Sequence, residues 1–184
     1  KMLSMYSGDD IIDALKVLNI APTTISYEYD PCDYLKAKEF QQKRDNPEWK
    51  KAPQDDLINM KTGMFGYKGG IHYHIADCIN DEIDAIDRNL GKNEKTAAVA
   101  RIIDRHIHRN YKFWPINYYF YELLTGDTRY ADKYTAEEKA KLDAYLQGQV
   151  AKVDLEKRDD EFCRTKILEM YANPVINYIK AIEE

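Results

Sequence analysis

Apolar residues recur every three or four positions over much of the chain, which is the spacing of an amphipathic helix. In GDDIIDALKVL the acidic residues precede the apolar ones, so we expect a helix over about residues 8–18 with Ser7 as its cap. Two stretches break this spacing. IAPTTISYEY (20–29) and IHYHIAD (71–77) are rich in β-branched and aromatic residues and predict β-strands.

Between the two strands, the pattern predicts two helices separated by a polar loop at 45–53. The first is DPCDYLKAKEFQQKR, with Asp30 as its cap and Pro31 at its first position. The second is QDDLINMKTGMF, which should end near Gly63. The following YKGG (67–70) is typical of a turn.

From residue 79 onward the spacing is helical. Pro115 should open one helix and Gly126 should close it, because proline suits the first helical position and glycine the end. Thr135 and Glu138 have the spacing of a capping box ahead of the next helix.

The last helix should begin at about Asp159, and Pro174 should interrupt it because proline lacks the backbone N–H. The predicted fold class is therefore α/β, with strands in the first half and a mostly helical C-terminal half. Two strands alone do not make a stable sheet, so these strands need partners that the chain does not obviously supply.

The composition argues against several classes of function and location. The net charge of −5 over 184 residues argues against a general nucleic-acid binder. No apolar run approaches the roughly 20 residues of a spanning helix, and there is no signal-peptide pattern. The widely spaced Cys32, Cys78 and Cys163 indicate neither a disulfide framework nor a structural zinc, so a reducing cytosol is the simplest setting.

The IHYHIAD stretch raises the question of catalysis. In a regular strand, His72 and Asp77 would lie on opposite faces with their Cα atoms roughly 16 Å apart, whereas a base and its orienting carboxylate need contact. His72 and His74 share a face and could supply two metal ligands, but the sequence offers no obvious third one, so we expect no metal. His106 follows an apolar helical face and is expected to be a hydrogen-bonded boundary residue.

Three segments, 19–39, 52–77 and 167–177, resemble the later portion of a glycerophosphate-type acyltransferase. The resemblance is closest to 1-acyl-glycerol-3-phosphate acyltransferase-like proteins of the Bacteroidetes type. It implies late strands of an acyltransferase α/β domain over residues 1–90, followed by a helical extension over residues 91–184.

In that family, a His-x-x-x-x-Asp motif supplies the general base, and a Phe-Pro-Glu-Gly motif with nearby basic residues holds the phosphate of the acceptor. A strand resembled by IAPTTISY follows both motifs, so the resemblance implies that the catalytic motifs lie before Lys1. His72 and Asp77 match the catalytic spacing but come after this strand. They are therefore expected to be a chance match, and their catalytic assignment is kept as the alternative.

The resemblance also implies partners. The acyl donor would be acyl-CoA or acyl carrier protein, the acceptor a lipid hydroxyl, and the location the cytoplasm or the inner face of the cell membrane, with no cofactor. Lysines could pair with a phosphate or carboxylate of the acceptor. The candidate substrate-binding residues are Thr23, Thr24, Tyr27, Glu28, Lys36, Lys61 and Lys68.

The chain contains 15 tyrosines, and several lie in YKFWPINYYFYELL (111–124). Such aromatic residues suit either a membrane surface or a protein core. Two other functions stay open: a helical interaction module without catalysis, and a metal-dependent hydrolase built on His72 and His74. If the chain is the later portion of an acyltransferase, it should be inactive alone and should self-associate through exposed strand edges.

Overall fold

The computed structural model describes residues 10–183. Within that range, eight α-helices and one two-stranded antiparallel sheet make a mixed but mostly helical fold. The elements in chain order are α1 (Ile11–Val17), β1 (Thr23–Tyr27), α2 (Asp33–Asp45), α3 (Pro53–Phe65), β2 (Ile71–Ile75), α4 (Asn80–Asp84), α5 (Lys92–Arg109), α6 (Pro115–Thr125), α7 (Ala136–Ala151) and α8 (Asp160–Glu183). A short 3-10 helix, Ala131–Lys133, precedes α7.

The helix starts follow local capping chemistry. Asp10 caps α1 by accepting the N–H of Ile12 at 2.9 Å, whereas the expected cap Ser7 lies outside the described residues. The second helix starts at Asp33, later than the sequence indicates. Asp30 accepts the N–H of Cys32 at 2.9 Å, so its carboxylate stabilises the turn ahead of the helix rather than the helix itself.

The predicted boundaries of α6 and the predicted start of α7 are confirmed. Pro115 is the first residue of α6, and Gly126 ends it with φ of 75°, a left-handed conformation that favours glycine. Thr135 accepts the N–H of Glu138 at 3.2 Å, and the Glu138 carboxylate accepts the N–H of Thr135 at 2.7 Å. These two bonds form the capping box.

The predicted interruption of α8 at Pro174 is wrong, because the helix continues from Asp160 to Glu183. Pro174 removes one helical hydrogen bond, but the flanking side chains of Tyr171 and Val175 are buried. In addition, the side chain of Asn117 donates to the Tyr171 carbonyl at 3.0 Å. Packing and this hydrogen bond hold the helix together where proline weakens it.

The chain forms two compact units, each assembled from separate segments. The first contains residues up to 26, residues 72–112 and residues from 180 onward, and the second contains residues 27–71 and 113–179. The sequence-based division at residue 90 refers to the domains of an acyltransferase and stays a prediction.

The core of the second unit is built where α2, α6, α7 and α8 present apolar side chains to one another. It is rich in aromatic and aliphatic residues: Ala37, Ile116, Tyr119, Phe120, Leu142, Leu146, Val150, Val153, Cys163, Ile167, Leu168 and Tyr171. The core of the first unit is smaller and aliphatic, and it joins α1, α4 and α5. Its buried members are Ile12, Leu15, Ile79, Ile83, Val99 and Ile102.

The sheet turns its apolar side chains outward. The Ala76 N–H donates to the Pro22 carbonyl at 2.9 Å, which gives a register that places Ile25 opposite Tyr73. Ile25 and Tyr73 are 45% and 62% exposed, whereas the small polar residues Thr24 and Ser26 on the other face of β1 are buried. The face that packs against the unit is therefore polar, and the apolar face is open.

Among the helices of residues 10–183, none combines the length and the apolar composition that crossing a bilayer requires.

Replacing the buried Leu168 by alanine should lower the free energy of unfolding by about 2–5 kcal/mol, because it leaves a cavity in the aromatic core. Leu57→Ala is the matched control, since Leu57 is 67% exposed and should change stability by less than about 0.5 kcal/mol. Urea unfolding followed by circular dichroism measures both. Equal losses in the two variants would contradict the core described above.

Candidate functional site

A buried carboxylate organises the second unit. Asp33, at the start of α2, is fully buried, and its Oδ2 accepts the hydroxyls of Tyr145 at 2.7 Å and Tyr171 at 2.9 Å. Its Oδ1 accepts the backbone N–H of Tyr34 at 2.5 Å. One side chain therefore ties α2 to α7 and to α8. The Tyr171 hydroxyl also accepts the N–H of Asp30 at 2.9 Å, so it is bonded on both sides.

The electrostatics of this cluster follow from burial. Loss of hydration raises the pKa of Asp33, and the hydrogen bonds from Tyr145 and Tyr171 oppose that rise only in part. Burial and the neighbouring Asp33 carboxylate raise the pKa of both tyrosines. Both hydroxyls therefore keep their protons and remain donors at neutral pH.

A groove of about 430 Å³ lies beside this cluster. One of its walls is a single face of α7, because Tyr145, Gly148, Gln149 and Lys152 follow one another at helical spacing. The remainder of its lining comes from the segment after β1 and from the end of α3: Tyr29, Pro31, Tyr34, Thr62, Gly66 and Tyr67.

The groove combines aromatic surface with two polar groups. The ring of Tyr29 lies 4.9 Å from that of Tyr145 and 5.8 Å from that of Tyr67, measured between centroids. The ammonium of Lys152 lies 5.6 Å from the ring of Tyr34. The Oε1 of Gln149 is buried and has no hydrogen-bond partner within the described chain. Such a groove can hold a flat group beside the Lys152 ammonium, whereas the Gln149 Oε1 has no surface open to the groove.

Sequence reasoning missed this site. The helical spacing of Tyr145, Gly148, Gln149 and Lys152 was readable, but nothing in the sequence indicated which residues would face them. The burial of Asp33 could not be predicted from the sequence either, because a charged residue at the start of a helix is normally a solvent-exposed capping residue.

The His72 and Asp77 pair is not assembled in the structure. The strand β2 ends at Ile75, so Asp77 lies beyond it, and within residues 10–183 no hydrogen bond or ion pair joins the two side chains. His72 and His74 are partly buried, on the opposite face of β2 from the exposed Tyr73. Across the described range, no three His, Cys, Asp or Glu side chains are grouped to hold a metal ion.

His106 is bonded as the sequence suggested. Its ring Nε2 pairs with one carboxylate oxygen of Glu82, and Arg105 binds the other oxygen. Partial burial raises the pKa of Glu82, but the two hydrogen bonds outweigh it and leave the pKa below its ordinary value. The cluster joins α4 to α5 within the first unit, which is a structural role.

The predicted substrate-binding residues are divided between the two units. Thr23 and Thr24 belong to the first, and the other five belong to the second. Thr23 is exposed, whereas Thr24 is buried and donates its hydroxyl to the Ile107 carbonyl at 3.2 Å. Their role in binding stays a prediction.

Most of the other five have partners. The carboxylate of Glu28 accepts the N–H of Gly70 at 2.8 Å, and Lys36 pairs with Asp30. The ammonium of Lys68 donates to two backbone carbonyls, at 3.0 and 3.2 Å. Tyr27 and Lys61 are exposed. The bonds of Glu28, Lys36 and Lys68 stabilise local structure, so a substrate would have to compete with them.

The aromatic segment 111–124 contributes to the protein core. Tyr119 and Tyr121 are buried, and their hydroxyls donate to Asp143 at 2.6 Å and to Asp127 at 2.9 Å. Of the two interpretations drawn from the sequence, the core interpretation is therefore confirmed for these two residues. Contact of the protein with a lipid surface stays a prediction.

The raised pKa of Asp33 predicts a signed pH effect on stability. The folded protein holds this proton to a higher pH than the unfolded chain, whose ordinary value is 3.8. Its contribution is fully present below that value and is lost as pH rises through the folded pKa. The unfolding free energy of the wild type minus that of Asp33→Asn should therefore fall with pH, by at most about 1.4 kcal/mol per unit.

Urea unfolding at several pH values measures this difference. Asp45→Asn is a control of opposite sign, because hydrogen bonds from Arg44 and Gln41 lower the pKa of Asp45. The unfolding free energy of the wild type minus that of Asp45→Asn should decrease as pH falls. A difference for Asp33→Asn that rises with pH would contradict the conclusion that burial outweighs the hydrogen bonds of this carboxyl group.

Comparison with known proteins leaves the family open: no protein-family model, no curated protein and no solved structure matches this chain.

Proposed function

We propose that this chain is the C-terminal part of a lipid acyltransferase. The whole enzyme would transfer a fatty acyl group from a thioester, acyl-CoA or acyl carrier protein, to the hydroxyl of a glycerophosphate-like or other lipid acceptor. Catalytic motifs upstream of this chain would supply the general base and the phosphate contacts. The support is the resemblance of three sequence segments together with one property of the sheet.

That property is the open apolar face. Ile25, Tyr73 and Ile75 are 45%, 62% and 71% exposed, although they are the residues that a sheet normally buries. A two-stranded sheet is marginal in water, and an apolar patch of this kind typically marks a contact surface. In the proposed enzyme, the preceding part of the α/β domain covers this face.

An interaction module without catalysis is the second candidate, and helix α3 favours it. None of its residues is buried, and it exposes large apolar side chains, among them Leu57, Met60, Met64 and Phe65. The coding sequence upstream of residue 1 separates the two functions. It should encode a His-x-x-x-x-Asp motif and then a Phe-Pro-Glu-Gly motif if the acyltransferase proposal is right, and it should lack both if the module proposal is right.

The full-length gene product should transfer acyl groups from acyl-CoA or acyl carrier protein to at least one acceptor in a panel of lysophosphatidate, glycerol 3-phosphate and N-acylated amino acids. The isolated chain of 184 residues should not. His72→Ala in the full-length protein should keep the rate within about twofold, because no hydrogen bond or ion pair joins the imidazole to Asp77. Alanine at the upstream histidine should lower the rate by at least about 100-fold. Turnover by the isolated chain that His72→Ala abolishes would overturn the proposal.

The sequence predicts self-association of the isolated chain through strand edges, and the structure adds the open sheet face as a surface for it, so the mass should rise with concentration in analytical ultracentrifugation. Ile75→Lys should raise the concentration at the midpoint of association by about tenfold or more, because it places a charge on that face. Val17→Lys is the control, since Val17 is 67% exposed but lies on α1. An unchanged midpoint in Ile75→Lys would show that association uses another surface.

A further inference from the structure

The outer edge of β2 carries backbone groups that the sheet does not pair. The bond between Ala76 and Pro22 sets a register in which the even-numbered residues of β2 form the ladder with β1. The N–H and C=O groups of Ile71, Tyr73 and Ile75 therefore point away from β1. Because the sheet of residues 10–183 has no third strand, these groups have no strand partner.

The residues of β2 do not protect this edge. Edge strands commonly carry a charged residue or a proline that prevents pairing with another chain. The sequence of β2, IHYHI, contains no proline, lysine, arginine, aspartate or glutamate. It is also the less covered strand, since Thr24 and Ser26 of β1 are buried whereas His72 and His74 are only partly buried. The edge of β2 can therefore accept an added strand.

The sequence of β2 is the same in both directions. Tyr73 is at the centre, His72 and His74 flank it, and Ile71 and Ile75 are the ends. An antiparallel pair reverses one strand relative to the other, so a second β2 centred on Tyr73 presents isoleucine to isoleucine and tyrosine to tyrosine. Apolar and aromatic cross-strand pairs of this kind are favourable. The strand is thus complementary to itself, as a two-fold symmetric interface requires.

The same register satisfies the unpaired backbone. With Tyr73 on the two-fold axis, it lies opposite Tyr73 of the partner subunit, and Ile71 lies opposite Ile75 of the partner subunit. These are the residues whose N–H and C=O groups point outward, so each of them gains hydrogen bonds. A shift of one residue would place Tyr73 against His74 of the partner subunit, whose backbone groups face β1, and those hydrogen bonds would be lost.

We propose that two copies of this chain pair through β2 and form a continuous four-stranded antiparallel sheet with two-fold symmetry. The β2 strands lie at its centre and the β1 strands at its edges. The exposed side chains of Ile25, Tyr73 and Ile75 from both copies then share one face of the sheet. This interface stands on β2 and does not depend on acyl transfer by the full-length gene product.

Cysteine cross-linking tests the register, in a Cys78→Ser background that removes the exposed thiol. His72 would lie opposite His74 of the partner subunit in a non-hydrogen-bonded pair, with Cα atoms about 4.5 Å apart and within reach of a disulfide. An equal mixture of His72→Cys and His74→Cys chains should therefore form a disulfide-linked dimer under mild oxidation, measured on a non-reducing gel.

Each cysteine variant alone is the control. Two copies of the same residue would lie roughly 8 Å apart, because they are offset by two positions along the strands, and disulfides do not span more than about 7 Å between Cα atoms. Neither His72→Cys nor His74→Cys alone should cross-link. Dimers that stack through the apolar faces would not link the mixture either, since both histidines are on the other face.

Two proline variants test the edge, with sedimentation measuring association. Tyr73→Pro removes an outward-pointing N–H, so the fold should keep its circular dichroism spectrum while the midpoint concentration of association rises at least about tenfold. Ile25→Pro is the matched control, because it makes the same change on β1 and removes an apolar side chain from the same face. Its midpoint should stay within about threefold of the wild type.

A wild-type chain that remains monomeric up to about 1 mM would overturn the proposal. So would a mixture of folded His72→Cys and His74→Cys chains that forms no more cross-linked dimer than either variant alone, or an Ile25→Pro variant that weakens association as much as Tyr73→Pro does. None of these outcomes bears on acyl transfer by the full-length gene product, which is measured separately.

Discussion

The second unit depends on a single buried carboxylate. Asp33 is fully buried, so its two oxygens need hydrogen-bond donors, and Tyr145, Tyr171 and the N–H of Tyr34 provide them. Because these donors belong to three different helices, satisfying the carboxylate fixes how the helices meet. The Tyr145 ring also belongs to the groove wall. The shape of the candidate site therefore follows from the hydrogen-bond requirement of a residue that does not line it.

A second constraint is that the sheet buries small polar side chains and exposes its apolar ones. Thr24 and Ser26 are buried, and they bond to Ile107 and to the N–H of Lys112 within the first unit. Small hydroxyl side chains allow close packing and supply hydrogen bonds that aliphatic side chains could not. The consequence is that the β-branched and aromatic residues of the same strands face outward. A sheet of this kind stabilises the unit through polar contacts and leaves its apolar side chains exposed.

Local features of the fold could be predicted from the sequence, and long-range ones could not. Pro115, Gly126 and the pair Thr135 and Glu138 act through bonds with close neighbours along the chain, so their positions identified the helix ends correctly. The predicted interruption at Pro174 was wrong because the contacts that keep its helix intact come from residues such as Asn117, far away in sequence. The groove was missed for the same reason: α7 supplies one wall, and the other wall comes from segments about 80 residues earlier or more.

The interleaving of the two units has a consequence for synthesis on the ribosome. In the first unit, Arg109 donates from its Nε to the carbonyl of Ala181 at 2.7 Å. That bond cannot form until residue 181 has left the exit tunnel, whereas α1 of the same unit leaves the tunnel well before it. Domains normally fold as units while the chain is being made. Here the first unit cannot complete its contacts until residues from 180 onward are made, by which time the whole of the second unit has already been synthesised.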